Sequence, residues 1–292
     1  MLTFVLAHLG DFGPSQRFRI MLAAITWAGI TWAYHRGWRR SSSRRSALWA
    51  FAAGTAVVIG AVSPPLDHLA EELISAHMIQ HVFLILVAAP LIAFSRPFDN
   101  LLRGLPVAAR KRIGAGRRRA GLTPATTSRI GRPAVAWLFY ALAVWFWHGS
   151  VPYQLAAGDD ALHVLEHAVL FAAALEFWAM VLGPRTDVVP GYRLLMVFTT
   201  AFHTVLLGAL LTFATSPWYS SYGASASGLG LDPLSDQQLA GLLMWIPGGL
   251  LYTGIGLWLL TDWIRGQDAI TASFERPSRV SVPVSRAEGS DS

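Results

Sequence analysis

The sequence contains no cysteine. Disulfides and thiolate metal sites are therefore excluded, and so is covalent haem held through a CxxCH motif. Charge is scarce as well: 14% of the 292 residues are Asp, Glu, Lys or Arg, against about 25% in a soluble domain. Lysine is almost missing, with Lys111 alone among the 23 basic residues. The opening stretch lacks the pattern of a secretory signal, because His8 and Asp11 interrupt its apolar run and no small-residue cleavage site follows.

What fills the chain instead is apolar. Hydrophobic residues make up 53%, with 12 Trp and 26 Gly and a mean hydropathy of +0.44. Interfacial Trp and helical Gly are both enriched in membrane proteins. The net charge of +6 does not mark a nucleic-acid binder, since the basic residues sit in loops between apolar spans. The basic loops would lie against anionic membrane lipids.

Seven segments are apolar enough to cross about 30 Å of hydrocarbon: Phe18–Tyr34, Ser46–Val62, His77–Ser95, Ala134–His148, Leu162–Leu182, Leu194–Ser216 and Leu239–Thr261. Helix is the expected form, because backbone groups in lipid must be paired within the segment. The expected fold is thus all-α, a polytopic bundle of seven transmembrane helices over residues 1–264, followed by a disordered cytoplasmic tail, 265–292. Orientation follows from the Lys/Arg bias. The first loop carries Arg36, Arg39, Arg40, Arg44 and Arg45, the third runs from Arg96 to Arg132 and is strongly basic, and the fifth carries Arg185 and Arg193. The second, fourth and sixth loops hold no Lys or Arg. This alternation predicts an outer N-terminus and a cytoplasmic C-terminus.

With that orientation, most of the nine histidines sort to the outer side. His77 and His81 lie four apart at the outer start of the third span, and His163 and His167 repeat the spacing at the start of the fifth. Residues four apart on a helix are neighbours, so each HxxxH pair offers two imidazoles to one ion. His148 ends the fourth span on the same side, and His203 lies near the middle of the sixth. Imidazole suits copper, zinc, iron and nickel. Without cysteine, the remaining donors are carboxylate and thioether: Glu166 beside His167, Met78 beside His77, and Met244 in the seventh span. Ionisable groups within spans are costly and mark function. Glu176, on the opposite face of the fifth span, is expected to pair with His203 across the bundle. Asp236 reads as the first-turn anion of its own helix, and Pro247-Gly248-Gly249 predicts a kink or a tight helix contact.

Two further readings of the same residues stand beside metal handling. An intramembrane zinc hydrolase would use three protein ligands and a metal-bound water, with Asp67, Glu72 or Glu166 as base. A haem-b carrier would need one histidine from each of two facing helices.

Five stretches carry a resemblance: "SAHMIQHVFLILVAAPLIAFSRP" from Ser75, "WFWHGSVPYQLA" from Trp145, "LHVLEHAVLFAAALEFW" from Leu162, "SPWY" from Ser216 and "DQQLAGLLMWIPGGLLY" from Asp236. In them the chain resembles the CtaG family of cytochrome c oxidase assembly factors, in the form associated with caa-type oxidases. The resemblance implies a seven-helix protein of the bacterial cell membrane that is not an enzyme. Its cargo would be copper and its partners the subunits of a haem–copper oxidase. By position, the family's histidines fall on His77, His81, His148, His163 and His167. The single-span copper chaperone that shares the family name works through cysteines, which this chain does not have.

Overall fold

A computed structural model describes residues 14–119, 131–183, 188–219 and 222–275, with backbone alone over 14–24 and 268–275. Among these the structure is all-α, with no strand. We number the helices α1 Pro14–Arg39, α2 Arg45–Ala61, α3 Pro64–Glu72, α4 Ile74–Phe94, α5 Pro97–Gly104 and α6 Val107–Arg119. They continue with α7 Gly131–Trp147, α8 Ser150–Ala157, α9 Asp160–Leu182, α10 Pro190–Thr212, α11 Gly223–Gly228 and α12 Pro233–Glu275.

Four described helices are long and apolar enough to cross a membrane by themselves: α4, α9, α10 and residues Pro233–Gln267 of α12. Two more candidates are bent pairs, α2 with α3 at 48° and α7 with α8 at 72°. The protein is therefore a multi-pass membrane protein with four to six such candidates among the described residues. Six of the seven expected segments fall on these helices with small shifts at their ends, while the first, Phe18–Tyr34, lies on α1, which is not among the candidates. The last helix outruns its segment, continuing to Glu275, so residues 265–275 of the expected tail are helical; the remainder, 276–292, and His8 lie outside the described residues.

The surface is inverted relative to a water-soluble bundle. Trp49, Val164, Phe198, Phe202 and Leu250 are each at least 66% exposed, and a large contiguous apolar surface of this kind is stable only against lipid or another protein. Polar and aromatic groups turn inward instead. Helix α9 is the central element: Leu170, Ala173, Ala174, Phe177, Trp178 and Val181 are all buried and recur on one face with the 3.6-residue period. Trp178 stacks on Tyr252 at 5.5 Å, and the hydroxyls of Tyr140 and Tyr252 lie 3.0 Å apart.

Helix α4 is not regular throughout. Phe83–Ala88 forms a π-helical segment, just before Pro90, which has no N–H to continue the ladder. The indole of Trp178 donates to the Ile85 carbonyl within it at 2.9 Å. π-Turns are frequent at functional sites, and this one follows His81 directly.

The close helix contact expected near Pro247 lies earlier in α12. Gly241 meets Gly208 of α10, where an added Cβ on Gly241 would stand 2.7 Å from the Gly208 carbonyl oxygen. Small residues at such points let backbones approach. Pro247 itself is accommodated inside the continuous helix.

Candidate metal centre

The site is built at one end of the bundle by α4, α9 and the break between α7 and α8. The start of α4 is held by a residue far away in sequence. The Asp236 carboxylate accepts from the Ile74 and Ser75 amides at 2.8 and 3.2 Å, which satisfies the unpaired donors of a helix N-terminus and opposes its dipole. Asp236 stands in the first turn of its own helix, as expected, but it is not that helix's N-cap. That task falls to Asp232, which accepts from the Ser235 amide at 2.9 Å. At the start of α9, Asp159 accepts from the Leu162 amide at 2.9 Å. Both HxxxH pairs thus begin on capped first turns.

The two pairs face each other. Nε2 of His77 and Nε2 of His81 are 2.9 Å apart. The ring of His77 lies 5.0 Å from His163 and 5.2 Å from His167, and His81 lies 5.0 Å from His167. His148, at the break after α7, brings its ring within 5.5 Å of His81. Ligand atoms of His77, His81 and His167 all fall within 4.8 Å of one another. Glu166 completes the group, with its two oxygens 3.7 Å from Nε2 of His77 and of His81. An imidazole-bound ion such as zinc has bonds of about 2.0–2.1 Å, so separations of about 2.9 to 3.7 Å suit neighbouring ligands of one centre.

Burial makes the arrangement costly. Glu166 is fully buried, His77 is 1% exposed and His81 is 4% exposed. Neither oxygen of Glu166 has a hydrogen-bond partner, and the same holds for Nε2 of His148, His163 and His167. A buried polar atom left unpaired costs roughly 1–3 kcal/mol, and an isolated buried carboxylate costs more. A cation shared by these atoms would offset that cost at each of them.

An aromatic roof closes the site. Tyr153 of α8 stacks on Tyr219 at 4.1 Å and lies 5.2 Å from the His77 ring. The Tyr219 hydroxyl donates to the His148 carbonyl at 2.8 Å. Tyr222 places its hydroxyl 3.4 Å from Nδ1 of His77, a partner of the kind that commonly orients a metal-bound imidazole. Burial holds the phenols of Tyr219 and Tyr222 far above their ordinary range, so both remain neutral, and the Tyr222 oxygen can accept from Nδ1–H of His77 when Nε2 is the ligand. Spacing in the sequence pointed to none of these tyrosines. The "SPWY" stretch contains Tyr219, but no periodicity ties it to the histidines.

Several other candidates lie elsewhere. His203 packs 6.2 Å from Trp137, outside the cluster. Glu176 does not pair with it: Arg132 donates to Glu176 at 3.2 Å, because α7 rather than α10 presents the nearest polar group at that depth. Met78 and Met244 line a cavity beside His81 and His148. His68 is exposed beside Glu71, and His35 lies against Trp38. Of the possible bases, Asp67 accepts from the Gln80 amide at 3.0 Å and Glu72 is exposed.

Fold and site together define a class: a multi-pass helical membrane protein with a carboxylate and imidazoles gathered inside one end of its bundle. The model of the cytochrome c oxidase caa3 assembly factor family matches residues 31–266. The chain belongs to that family, which carries a role in cytochrome c oxidase assembly. No curated protein and no solved structure matches it.

Proposed function

We propose that the protein binds copper at the outer-side histidine cluster and supplies it to a haem–copper cytochrome c oxidase in the bacterial cell membrane. The carrying observation is that His77, His81, His148, His167 and Glu166 are all buried together, with His163 adjoining and most of their ligand atoms unpaired. Imidazole and carboxylate donors without thiolate suit Cu(II) and Zn(II). Copper is the cargo here, so the protein's task is to bind it, shield it and release it to an oxidase subunit by ligand exchange. The Tyr153–Tyr219–Tyr222 roof would have to part for that exchange.

In this reading α1, the bent pairs and the four long helices make seven spans. The loops rich in Arg face the cytoplasm, and the cluster faces outward. The test is metal uptake by purified protein in lipid nanodiscs. The His77→Ala/His81→Ala/His163→Ala/His167→Ala variant is expected to lose bound copper, while a correctly folded variant that retains it overturns the proposal. A rise in melting temperature on adding Cu(II), seen in the parent but not the variant, provides the second readout, because ligand binding to the native state stabilises it.

One observation favours a second reading. Three imidazoles beside the buried Glu166 are also the donor set of a zinc hydrolase. Zinc in protein purified from its own membrane, together with amide or ester turnover abolished by Glu166→Gln, would establish it.

A further inference from the structure

Beside the cluster, and sharing His81 and His148 with it, lies a partly open cavity of about 40 Å³. A buried water needs roughly 10–15 Å³ of such space, so there is room for an ion with a ligand or two. Its walls are mainly apolar, but Met78, Met244, His81 and His148 all line it, together with Thr204 and Tyr252. The two methionines come from different helices, α4 and α12. Met78 is 1% exposed. Thioethers are soft donors that select Cu(I) among biological metals.

His148 is prepared for coordination on this side. Its Nδ1–H donates to the Val144 carbonyl at 2.8 Å, which fixes the tautomer and leaves the lone pair on Nε2. That Nε2 is buried and has no hydrogen-bond partner. His81 adjoins both regions: Nε2 meets His77, while Nδ1 is unpaired. The donors thus separate by softness. Nitrogen and oxygen from α4 and α9 gather around Glu166, whereas sulfur from α4 and α12 gathers with His148 around the cavity.

We propose that the cavity is a second metal station, in which Met78, Met244 and His148 hold Cu(I) apart from the nitrogen–oxygen cluster, with His81 as the shared neighbour between them. This rests on the copper reading given above and deepens it: beside the divalent ion at the cluster, cargo would also be held as Cu(I) at a sulfur site. No electron transfer is implied, since each site is loaded from its own oxidation state.

The experiment uses the full chain in nanodiscs, titrated anaerobically with Cu(I) against a chromophoric chelator and separately with Zn(II). The parent should take up one equivalent of Cu(I) at the cavity and one of Zn(II) at the cluster, each without displacing the other, and X-ray absorption should show copper–sulfur scattering. Met78→Leu/Met244→Leu, close in size and shape, should lose the Cu(I) equivalent and the sulfur scattering while its zinc affinity stays within about twofold. Absence of sulfur scattering in the parent, or its persistence in the double variant, overturns the proposal. Failure of the underlying cluster reading shows differently, as zinc uptake that ignores the replacement of His163 and His167 by alanine. The Thr204→Val variant, which changes the wall without touching a proposed ligand, should bind Cu(I) like the parent.

Discussion

Glu166 is the carboxylate of the site, and its position produces opposite expectations with and without metal. It is fully buried, with no hydrogen bond to either oxygen. Replacing it by Gln removes a buried carboxylate whose desolvation nothing offsets when no cation is bound. With metal bound, the same change removes an anionic neighbour of the ion and should weaken affinity by about 10–100-fold, as changes around a metal centre do. Glu166→Gln should therefore melt at or above the parent temperature when stripped of metal and below it when metal is added. A lower melting temperature in both conditions would assign Glu166 a purely structural task. Acidity should act on the imidazoles in the same direction as metal loss. Only neutral imidazole coordinates, so protons compete with the ion, and bound metal measured over a descending pH series should fall.

At the scale of elements, α4 and α9 are the scaffold of the site and α10 with α12 forms its buttress. The Gly208–Gly241 contact decides how closely that buttress packs. An added Cβ on Gly241 would come within 2.5 Å of Thr212 Oγ1 as well as 2.7 Å of the Gly208 carbonyl. Gly241→Leu should cost about 1–3 kcal/mol through overpacking, read as a lower melting temperature in detergent. Gly254 lies on the same helix with nothing within 4 Å of its Cβ position, so Gly254→Ala should be neutral or stabilising by up to about 1 kcal/mol. The HxxxH spacings announced both scaffold helices, because a four-residue repeat fixes which side chains share a face. The π-segment after His81 was not announced. Pro90 is visible in the sequence, but where the widened turn falls depends on Trp178 reaching the Ile85 carbonyl from another helix.

For the whole molecule, the absence of cysteine becomes an experimental advantage. Single cysteines introduced by Asp160→Cys and Arg110→Cys would be the only thiols in the chain. The Arg-poor loops are expected outside, so Asp160→Cys should react with a membrane-impermeant maleimide in intact cells, and Arg110→Cys only after the cells are opened. The reverse pattern would invert the bundle and move the cluster to the cytoplasmic side. The same asymmetry of charge separates the two ends chemically. One end gathers imidazoles, and the other holds the Arg132–Glu176 pair at 3.2 Å and the basic helix α6.

The sequence by itself determined that this chain is helical, apolar and multi-pass, because composition and segment length are properties of each stretch taken alone. It also determined that His77 and His81, and His163 and His167, form pairs, since their contact is local to one helix. Only the tertiary structure decided which pairs meet. It brought His148 to them, left His203 aside, gave Glu176 to Arg132, and sent Asp236 to cap a helix 162 residues away. Those outcomes depend on the order in which helices pack around α9. That order is set by contacts summed over the whole bundle, and no single segment encodes it.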